Sequence, residues 1–270
     1  TAANRLQQRI DNGGTVTARV FAIEDGKLIQ VFSSGERYGR ENALQQTGDE
    51  QQVLLTEPIA VGTSWTLDDG SVSTITAIAA AVSTPCGDYQ AVAVTTAGDD
   101  GNTFTRYFAP GVGLVKTVYA SEGNEVVSTL SAIENDVAWQ QTVRFFYPNQ
   151  NGDQIYYQDR ALDFYTNDVT GDILAAAYRQ LPEGAAKVFS DNTVINSLSL
   201  GEDGMVYLDL SQDFRSEMNA GSGYEGLMLD CVAATFANYY GADKLVLTID
   251  GQPYVSGHFE FAPGEYLQPD

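Results

Sequence analysis

Few residues of this 270-residue chain could serve as an activated nucleophile or as the base that activates one. The single histidine, His258, lies in the segment SGHFEF, so a Ser-His-Asp triad would have to use it. The run Gly221, Ser222 and Gly223 is typical of a loop and does not form a GxSxG nucleophile elbow. One histidine also argues against a zinc site built on imidazole ligands. We therefore predict no catalytic residues.

Paired carboxylates are a second route to chemistry, since two acids flanking a glycosidic bond can hydrolyse it. Asp209 and Asp213 are such a pair. The chain holds 36 Asp and Glu residues, however, so close pairs are expected by chance. A peptidoglycan hydrolase is therefore the less favoured alternative to a non-enzymatic protein.

A polar loop separates two aromatic runs in the stretch FFYPNQNGDQIYYQDRAL, residues 145–162. An EF-hand loop that began at Asn149 would place Asn151 and Asp153 at the third and fifth ligand positions. Gln154 then stands where the loop needs glycine, and Arg160 stands where it needs a bidentate glutamate. The stretch predicts a turn between two strands, and we expect neither a metal ion nor a cofactor.

Two further motifs have functional alternatives. GVGLVK, residues 111–116, faintly resembles a phosphate-binding loop, but no helix follows it and a β-turn is favoured. Trp65 precedes an Asp-Gly hairpin and could stack on a sugar, although a core position is favoured for a lone aromatic residue. Together with Tyr156 and Tyr157 it keeps a cell-wall sugar-binding module open as an alternative function.

Charge and composition exclude several classes of partner. The formal net charge is −22, and a surface of this sign repels the phosphates of nucleic acids and anionic lipids. The two cysteines, Cys86 and Cys231, are too few and too far apart for a disulfide framework, and we expect both to be small buried residues. No stretch approaches the roughly 18 apolar residues that span a bilayer. We expect contact with a membrane only through an N-terminal lipid anchor that lies outside this sequence.

Residues 1–138 are predicted to form an all-β antiparallel sheet or half-barrel. Short alternating runs recur about every 8–12 residues and are separated by Gly and Asp turns, as in a meander. The predicted strands are residues 15–23, 27–32, 53–55, 64–67, 72–82, 91–96, 104–108, 112–119 and 126–133.

Residues 139–270 are predicted to form an α+β domain with two helices on a mostly antiparallel or mixed sheet. Strands are expected at 142–147, 155–164, 194–200, 205–210, 245–249 and 253–255, and helices at 172–181 and 224–240. The first helix is expected to bury Ile173, Ala176, Ala177 and Gln180. The second has a clean apolar stripe: Tyr224, Met228, Cys231, Val232, Thr235, Phe236 and Tyr239.

Both halves resemble bacterial cell-envelope proteins. VRFFYPNQNGDQIYYQDRALDF, NSLSLGEDGMVYLDLSQDF and LMLDCVAATFANYYGADKLVLTIDGQ resemble, in order and spacing, the sporulation and spore germination (GerMN) domain family over about residues 140–262. EPIAVGTSWTLDDGSVSTITAI, TPCGDYQAVAVTT and TRYFAPGVGLVKTV resemble a β-sheet module of envelope lipoproteins over about residues 57–118. The GerMN resemblance departs at RQLPEGAA, after the first helix.

The resemblance implies a non-enzymatic, extracytoplasmic lipoprotein of a Gram-positive bacterium, anchored in the membrane or cell envelope. Its expected role is protein interaction or assembly in sporulation or spore germination. A protein that acts through its surface needs a docking site, and exposed sheet edges provide one. We predict docking on the strand that contains Leu245 and Ile249 and on the aromatic hairpin that contains Tyr147, Tyr156 and Tyr157. The acidity of the chain favours a basic protein partner in the envelope.

Overall fold

The computed structural model describes residues 4–98, 101–218 and 220–269 and divides into two compact units. The first unit comprises Thr1–Arg37 and Ala43–Asn135, and the second comprises Tyr38–Asn42 and Asp136–Asp270. The division falls close to the predicted boundary at 138/139. No sequence pattern indicates that residues 38–42 belong to the second unit. That the two halves are independent domains stays a prediction.

The first unit begins with a four-stranded antiparallel sheet in the order β1-β2-β3-β4. Its strands are β1 (Arg5–Asp11), β2 (Val16–Glu24), β3 (Lys27–Ser34) and β4 (Gln52–Thr56). Strand β2 alternates buried and half-buried residues, and its Val20 and Ala22 pack with Val31 and Ala43 in a small core. Strand β1 was not predicted because its polar sequence, RLQQRID, lacks an apolar face, yet it pairs with β2 along its whole length.

A six-stranded antiparallel meander follows in the order β10-β9-β8-β7-β6-β5. Its core contains Val82, Ala91, Ala109 and Val115. The strands are β5 (Ser64–Thr66), β6 (Val72–Thr84), β7 (Gly87–Ala97), β8 (Thr103–Ala109), β9 (Gly113–Ser121) and β10 (Asn124–Thr129). The predicted all-β antiparallel class is confirmed, with the strands divided between two sheets. The segment GVGLVK is a turn that leads into β9, as predicted.

Cys86 corrects one prediction in this unit. It lies in the tight turn between β6 and β7 and is partly exposed, whereas we expected a buried residue. Its backbone N–H donates to Thr84 Oγ1 at 3.1 Å, which holds it in the turn. A two-residue turn cannot carry its side chain into the sheet core.

The second unit opens with a long antiparallel hairpin, β11 (Trp139–Pro148) and β12 (Ile155–Phe164), followed by helix α1 (Thr170–Tyr178). The predicted buried face of α1 is wrong in part: Ala177 is buried and Ile173 half-buried as expected, but Ala176 and Gln180 are exposed, while Leu174 and Tyr178 are buried one turn apart. The helix ends before Gln180, so Tyr178 is the last large residue that it can direct into the core.

A four-stranded mixed sheet in the order β13-β14-β15-β16 completes the unit. Its strands are β13 (Ile195–Leu200), β14 (Val206–Leu210), β15 (Leu245–Ile249) and β16 (Gln252–Pro253). Between β14 and β15 lie the short helix α2 (Asp213–Ser216) and the long helix α3 (Ser222–Tyr240). Strands β14 and β15 are parallel because α3 carries the chain back across the sheet. Helix α2 lies in a segment that we expected to be loop. The predicted α+β class is confirmed.

The core of this unit is built around Tyr178. Its ring lies 4.8–6.1 Å, between centroids, from the rings of Phe145, Tyr147, Phe189 and Phe236. The predicted stripe of α3 is buried from Met228 to Tyr239, and only Tyr224 at its start is partly exposed. Cys231 is buried as predicted, and burial raises the pKa of its thiol far above the ordinary value.

Residues 38–42 are anchored in the second unit through Arg40. The guanidinium group donates to Thr170 Oγ1 at 2.9 Å and to the carbonyl of Tyr165 at 3.0 Å, and it lies 5.4 Å from the centre of the Phe164 ring. The backbone N–H of Arg40 donates to the hydroxyl of Tyr239 at 3.1 Å. Five residues from the first sixth of the chain therefore belong to the second unit and pack on it from outside its core.

Candidate functional site

The three tyrosines predicted for docking occupy different environments in the β11–β12 hairpin. Tyr147 is 0% exposed and faces the core, so its predicted place on a docking surface is wrong. Burial raises the pKa of Tyr147 to about 12. Tyr156 is half-buried, while Tyr157 is 53% exposed. Because side chains alternate across a strand, consecutive tyrosines point to opposite faces, and Tyr157 is the one that a partner can reach.

The prediction that β15 is an edge strand is wrong. Strand β14 pairs with one side of β15, while β16 and the backbone of Leu267 cover the other side. The N–H of Leu245 donates to the carbonyl of Leu267 at 2.9 Å, and the reciprocal bond is 2.7 Å. Leu245 and Ile249 are 0% and 4% exposed. A partner therefore finds neither free backbone groups nor accessible side chains at these two residues.

Of the strands predicted for docking, β12 is the one with a free edge. The side of β11 that faces away from β12 is covered, since the N–H of Phe146 donates to Thr235 Oγ1 at 3.0 Å and its carbonyl accepts a hydrogen bond from the Tyr178 hydroxyl at 2.8 Å. Among the described residues, no strand pairs with the opposite side of β12.

The register shows which backbone groups of β12 face that free side. Both backbone groups of Phe146 point away from β12, so Phe146 and its partner Tyr157 form a non-hydrogen-bonded pair. Tyr157 must then direct its own N–H and C=O outward, away from β11. The same holds at every second residue, including Asp159 and Ala161.

A shallow groove runs beside this edge, with a volume of about 500 Å³. Strand β12 forms one wall, and the segment after α1 forms the other. Arg160 crosses between the walls, because its guanidinium group donates to Gln180 Oε1 at 3.0 Å and also to the carbonyl of Gln180. The lining residues are Gln158, Arg160, Ala161, Leu162, Gln180, Leu181 and Pro182.

The face of the hairpin that carries Tyr157 also holds a fixed charge pair. Arg144 donates to both carboxylate oxygens of Asp159, at 2.7 and 2.9 Å. The guanidinium carbon lies 3.9 Å from the centre of the Tyr157 ring. Stacking of this kind holds the ring in place, so Tyr157 presents a preorganised aromatic surface.

The polar loop between β11 and β12 is a turn, as predicted. The side-chain oxygen of Asn149 accepts hydrogen bonds from the N–H groups of Asp153 and Gln154, and its Nδ2 donates to Asp153 Oδ1 at 2.6 Å. Asn149 thereby uses its side chain to hold the loop rather than to bind an ion. Within the described ranges, no group of three or more His, Cys, Asp or Glu side chains is arranged to hold a metal ion.

The carboxylates of Asp209 and Asp213 are bound to different partners. Asp209 accepts hydrogen bonds from Thr248 Oγ1 at 2.5 Å, Gly251 N at 2.7 Å and Asn196 Nδ2 at 3.0 Å. Burial acts to raise the pKa of Asp209, but these bonds outweigh it and the pKa is lowered. A general acid needs a raised pKa, whereas the pKa of Asp209 is lowered. The contacts of Asp209 with Thr248 and Gly251 instead hold the β15–β16 turn.

His258 lies at the rim of a pocket of about 370 Å³. Its Nδ1 is 2.6 Å from Glu225 Oε2, and Tyr254 donates to Glu225 Oε1 at 2.7 Å. The Glu225 side chain is 5% exposed and the His258 side chain 39%. Burial acts to raise the pKa of Glu225, but hydrogen bonds from Ser256, His258 and Tyr254 lower it below the ordinary value.

These groups do not form a nucleophile–base pair of the serine-hydrolase type. The Ser256 oxygen accepts the N–H groups of His258 and Phe259, both at 3.0 Å, and its hydroxyl bonds to Glu225. Ser256 thus supports the carboxylate and is not activated by the imidazole. The sequence identified His258 as the single histidine, but Glu225 lies 33 positions away and no local pattern connects the two.

Trp65, the sugar-stacking candidate in the first unit, lies on β5 of the six-stranded sheet and is anchored to β4 of the four-stranded sheet. Its indole N–H donates to the carbonyl of Val53 at 3.1 Å, and the residue is half-buried. This hydrogen bond and the partial burial of the ring agree better with the predicted core position of Trp65 than with stacking on a sugar.

Comparison with known protein families shows which family the second unit is similar to. Residues 144–255 match the family described as sporulation and spore germination, Germane. The second unit carries a Germane domain. This confirms the resemblance found in the sequence, and the matched segment of the Germane domain contains the β12 edge, the groove beside it and Glu225.

Solved structures similar to the chain include two of the sporulation protein GerM from Bacillus subtilis. Its first GerMN domain is 21% identical with a TM-score of 0.33, and the match covers 42% of this chain and 86% of that one. Its tandem GerMN domains are 20% identical with a TM-score of 0.34, covering 43% and 41%. A putative lipoprotein from Clostridium perfringens is 18% identical with a TM-score of 0.31, covering 51% and 93%. No curated protein matches the chain.

The described helices include none that is long and apolar enough to cross a membrane.

Proposed function

We propose that this protein is a non-enzymatic, extracytoplasmic component of sporulation or spore germination that binds a protein partner through its Germane domain. The match of residues 144–255 to the sporulation and spore germination family supports the process. The observation that carries the binding role is the free edge of β12, whose outward-facing backbone groups alternate with accessible side chains.

The β12 edge suits β-augmentation by an extended segment of the partner. Such a segment hydrogen-bonds to the outward N–H and C=O groups of Tyr157, Asp159 and Ala161 and extends the two-stranded sheet to three strands. Its alternate side chains enter the groove beside β12, while the others meet Tyr157 on the opposite face.

Charge favours a basic segment as the occupant. The net charge of −22 attracts cationic partners over long range, and this attraction chiefly raises the association rate. Asp159 and Asp163 are exposed along the strand itself. Because Asp159 is already paired with Arg144, Asp163 is the carboxylate that a basic residue of the partner segment would meet at the edge.

The extracytoplasmic location is part of the proposal. The resemblance of both halves to envelope proteins supports it, as does a chain with two cysteines and few basic residues. A lipid anchor outside this sequence would hold the protein at the membrane. A chain that lacks the anchor should then be recovered in the soluble extracytoplasmic fraction.

Crosslinking in the native envelope tests where the partner binds. A photoreactive residue replaces Tyr157 in one strain and Tyr119, an exposed tyrosine of β9 in the first unit, in another. We expect one dominant crosslinked protein from position 157 that is absent from position 119. The same adduct from both positions would contradict docking at the β12 edge.

A single proline tests the hydrogen-bonding mode once the crosslinked partner has been purified. Ala161→Pro removes an N–H that faces outward, and proline is tolerated on an edge at such a position. We expect at least a tenfold loss of affinity, on the order of 1.4 kcal/mol, for the lost bond. Ala161→Ser keeps the N–H and should bind normally. Full affinity of a folded Ala161→Pro protein would overturn β-augmentation.

The enzymatic alternative is tested by incubation with peptidoglycan. We expect no release of soluble fragments. Turnover that disappears on Asp209→Asn, in a protein that remains folded, would overturn the non-enzymatic reading. Calorimetric titration with muropeptides tests the sugar-binding alternative, and heat of binding that is lost on Trp65→Ala would favour it.

A further inference from the structure

The two arginines of the β11–β12 hairpin have different partners. Arg144 gives Nε and Nη2 to the two carboxylate oxygens of Asp159, at 2.7 and 2.9 Å. The acceptors of Arg160 are all uncharged: Gln180 Oε1 at 3.0 Å, Gln158 Oε1 at 2.9 Å and the carbonyl of Gln180. Among the described residues, no carboxylate forms an ion pair with Arg160. The positive charge of Arg160 therefore lacks a negative partner in a strongly acidic protein.

The Nε–H group of Arg160 is buried and has no acceptor within the described part of the chain. A guanidinium group has five N–H donors, and the bonds to the two glutamines use one donor of Nη1 and both donors of Nη2. A buried donor without an acceptor raises the free energy of the protein, and a ligand that supplies an acceptor removes that cost. Arg160 can thus gain hydrogen bonds when a partner binds.

Arg160 lies where a side chain of an added strand would meet it. The backbone groups of Asp159 and Ala161 face the free side of β12, so Arg160 between them occupies a non-hydrogen-bonded position for that strand. Side chains are closer in such a pair than in a hydrogen-bonded pair. Arg160 also lines the groove beside the edge. The residue opposite Arg160 would therefore direct its side chain to the groove side, beside the guanidinium group.

We propose, on the basis of the strand addition described above, that Arg160 selects an acidic side chain at one position of the partner segment. A carboxylate that displaces the exposed Gln158 amide can accept from Nε and Nη2 together, as Asp159 does from Arg144. These charge-assisted bonds would replace bonds to neutral acceptors, which are roughly half as strong. The partner's Asp or Glu thereby supplies the missing counter-charge.

The two faces of the partner segment then differ in charge. Asp163 lies on the face of β12 that carries Tyr157, and a basic residue suits that face. On the groove side, Leu162 and Leu181 lie in the lining beside Arg160, so apolar residues should flank the acidic one. The net charge of −22 repels an acidic residue over long range. A preference for that residue must therefore come from direct contact.

Two synthetic peptides with blocked ends, KVKEKVK and KVKQKVK, test the preference. Each sequence is palindromic, so the direction in which it pairs with β12 does not matter, and alternation places the central residue and both valines on one face. Fluorescence polarisation of the labelled peptides is measured with the full chain at constant ionic strength. We expect the glutamate peptide to bind at least about fivefold tighter. General attraction to the acidic chain predicts the opposite order, because the glutamine peptide is more positive. Equal affinities, or tighter binding of the glutamine peptide, would overturn the proposal.

Two variants assign the preference to Arg160. Arg160→Gln should abolish it, and continued binding of the glutamine peptide would show that the edge of this variant is intact. Lys187→Gln removes one positive charge from an exposed pair with Asp191 outside the groove and should keep the preference. A preference that survives in Arg160→Gln, or that disappears equally in both variants, would contradict the role of Arg160.

Ala161→Pro separates this role from the strand addition itself. It removes an outward-facing N–H and should weaken the binding of both peptides about equally. If both peptides bind but Ala161→Pro has no effect, or if neither peptide binds the unsubstituted protein, strand addition at β12 is wrong and the role of Arg160 is lost with it. If Ala161→Pro weakens both peptides but their affinities for the unsubstituted protein are equal, strand addition stands and only the selection by Arg160 is wrong.

Discussion

At the scale of single residues, the second unit keeps one carboxylate out of water by surrounding it with donors. Glu225 is 4% exposed, and Tyr254, His258 and Ser256 together outweigh the cost of burying it. The arrangement fastens the segment after β16 to the first turns of α3. Glu225 therefore links stability to pH.

Replacing Glu225 tests that link. A carboxyl whose pKa is lowered on folding stabilises the protein above its unfolded pKa, and this contribution is lost as the pH falls through the folded pKa. Glu225→Gln should lower the free energy of unfolding by about 1–3 kcal/mol at neutral pH, measured by urea denaturation. The difference should shrink below about pH 4. Glu125→Gln, on exposed strand β10, is the control; a difference independent of pH would contradict the role of ionised Glu225.

Tyr178 is the second residue on which the unit depends. Its hydroxyl donates to the carbonyl of Phe146 and accepts a hydrogen bond from Thr235 at 3.3 Å. Tyr178→Phe keeps the ring but leaves both partners unsatisfied, so we expect a loss of about 1–3 kcal/mol in the free energy of unfolding. Tyr157→Phe, at an exposed ring, should change it by less than about 0.5 kcal/mol. Equal effects would show that the buried hydroxyl is not needed.

Some of these residue environments could be predicted from the sequence. The spacing on α3 placed Cys231 inside correctly, because one helix face is read directly from a 3.6-residue period. The pairing of His258 with Glu225 could not be predicted, since it depends on the path of the chain through β15 and β16. The burial of Tyr147 beside the exposed Tyr157 follows from alternation, but the sequence does not say which face is covered.

At the scale of elements, the turn between β11 and β12 depends on a glycine for two separate reasons. Gly152 has φ +70°, and a Cβ there would lie 2.6 Å from Tyr224 Cδ2. Gly204, in the turn between β13 and β14, has φ +76° but no atom within 4 Å of the same position. The two turns therefore separate backbone strain from steric clash.

Alanine at the two glycines measures these terms. Gly204→Ala should cost about 1–2 kcal/mol, the penalty for a side chain in the left-handed region. Gly152→Ala should cost at least about 1 kcal/mol more, because the Tyr224 ring must also move. Thermal denaturation of both variants gives the comparison. Equal losses of stability in the two variants would mean that the Tyr224 ring can move aside at no cost in free energy.

Strands and helices with a regular apolar pattern were predicted close to their observed bounds, and β15 is the clearest example. The failures have different causes. Polar β1 pairs with β2, the next strand, although its own sequence has no apolar face. Phe214 of the short helix α2 packs against Phe189 and Tyr254, and β15 lost its predicted edge to β16 and to the remote Leu267. Pairing partners of this kind leave no local signature.

At the scale of the whole molecule, residues 38–42 make the second unit discontinuous in sequence. We predict that limited proteolysis leaves a folded second half and that residues 139–270 expressed alone are folded by circular dichroism. Such a fragment lacks Arg40 and should unfold at a lower temperature than the same unit in the whole chain, by an amount that corresponds to about 1–3 kcal/mol.

A single substitution isolates the effect of that segment. Arg40→Ala in the whole chain should lower the second unit's unfolding temperature as far as the fragment's. Lys27→Ala, an exposed cation of the first unit, should leave that temperature unchanged. An unfolded fragment would place the boundary elsewhere, while an unaffected Arg40→Ala protein would show that the segment is not part of the second unit's stability.

The contacts of Arg40 also determine when residues 38–42 can fold during synthesis of the chain. The residue leaves the ribosome 125 positions before Tyr165 and 199 positions before Tyr239, both of which hold it. At about 5–20 residues per second, the wait for Tyr239 is roughly 10–40 s. During that interval β2 and β3 can already pair, while the stretch between β3 and β4 has nothing to bind. Its capture is thus a late event in biogenesis, and a chain released early would expose it to proteases.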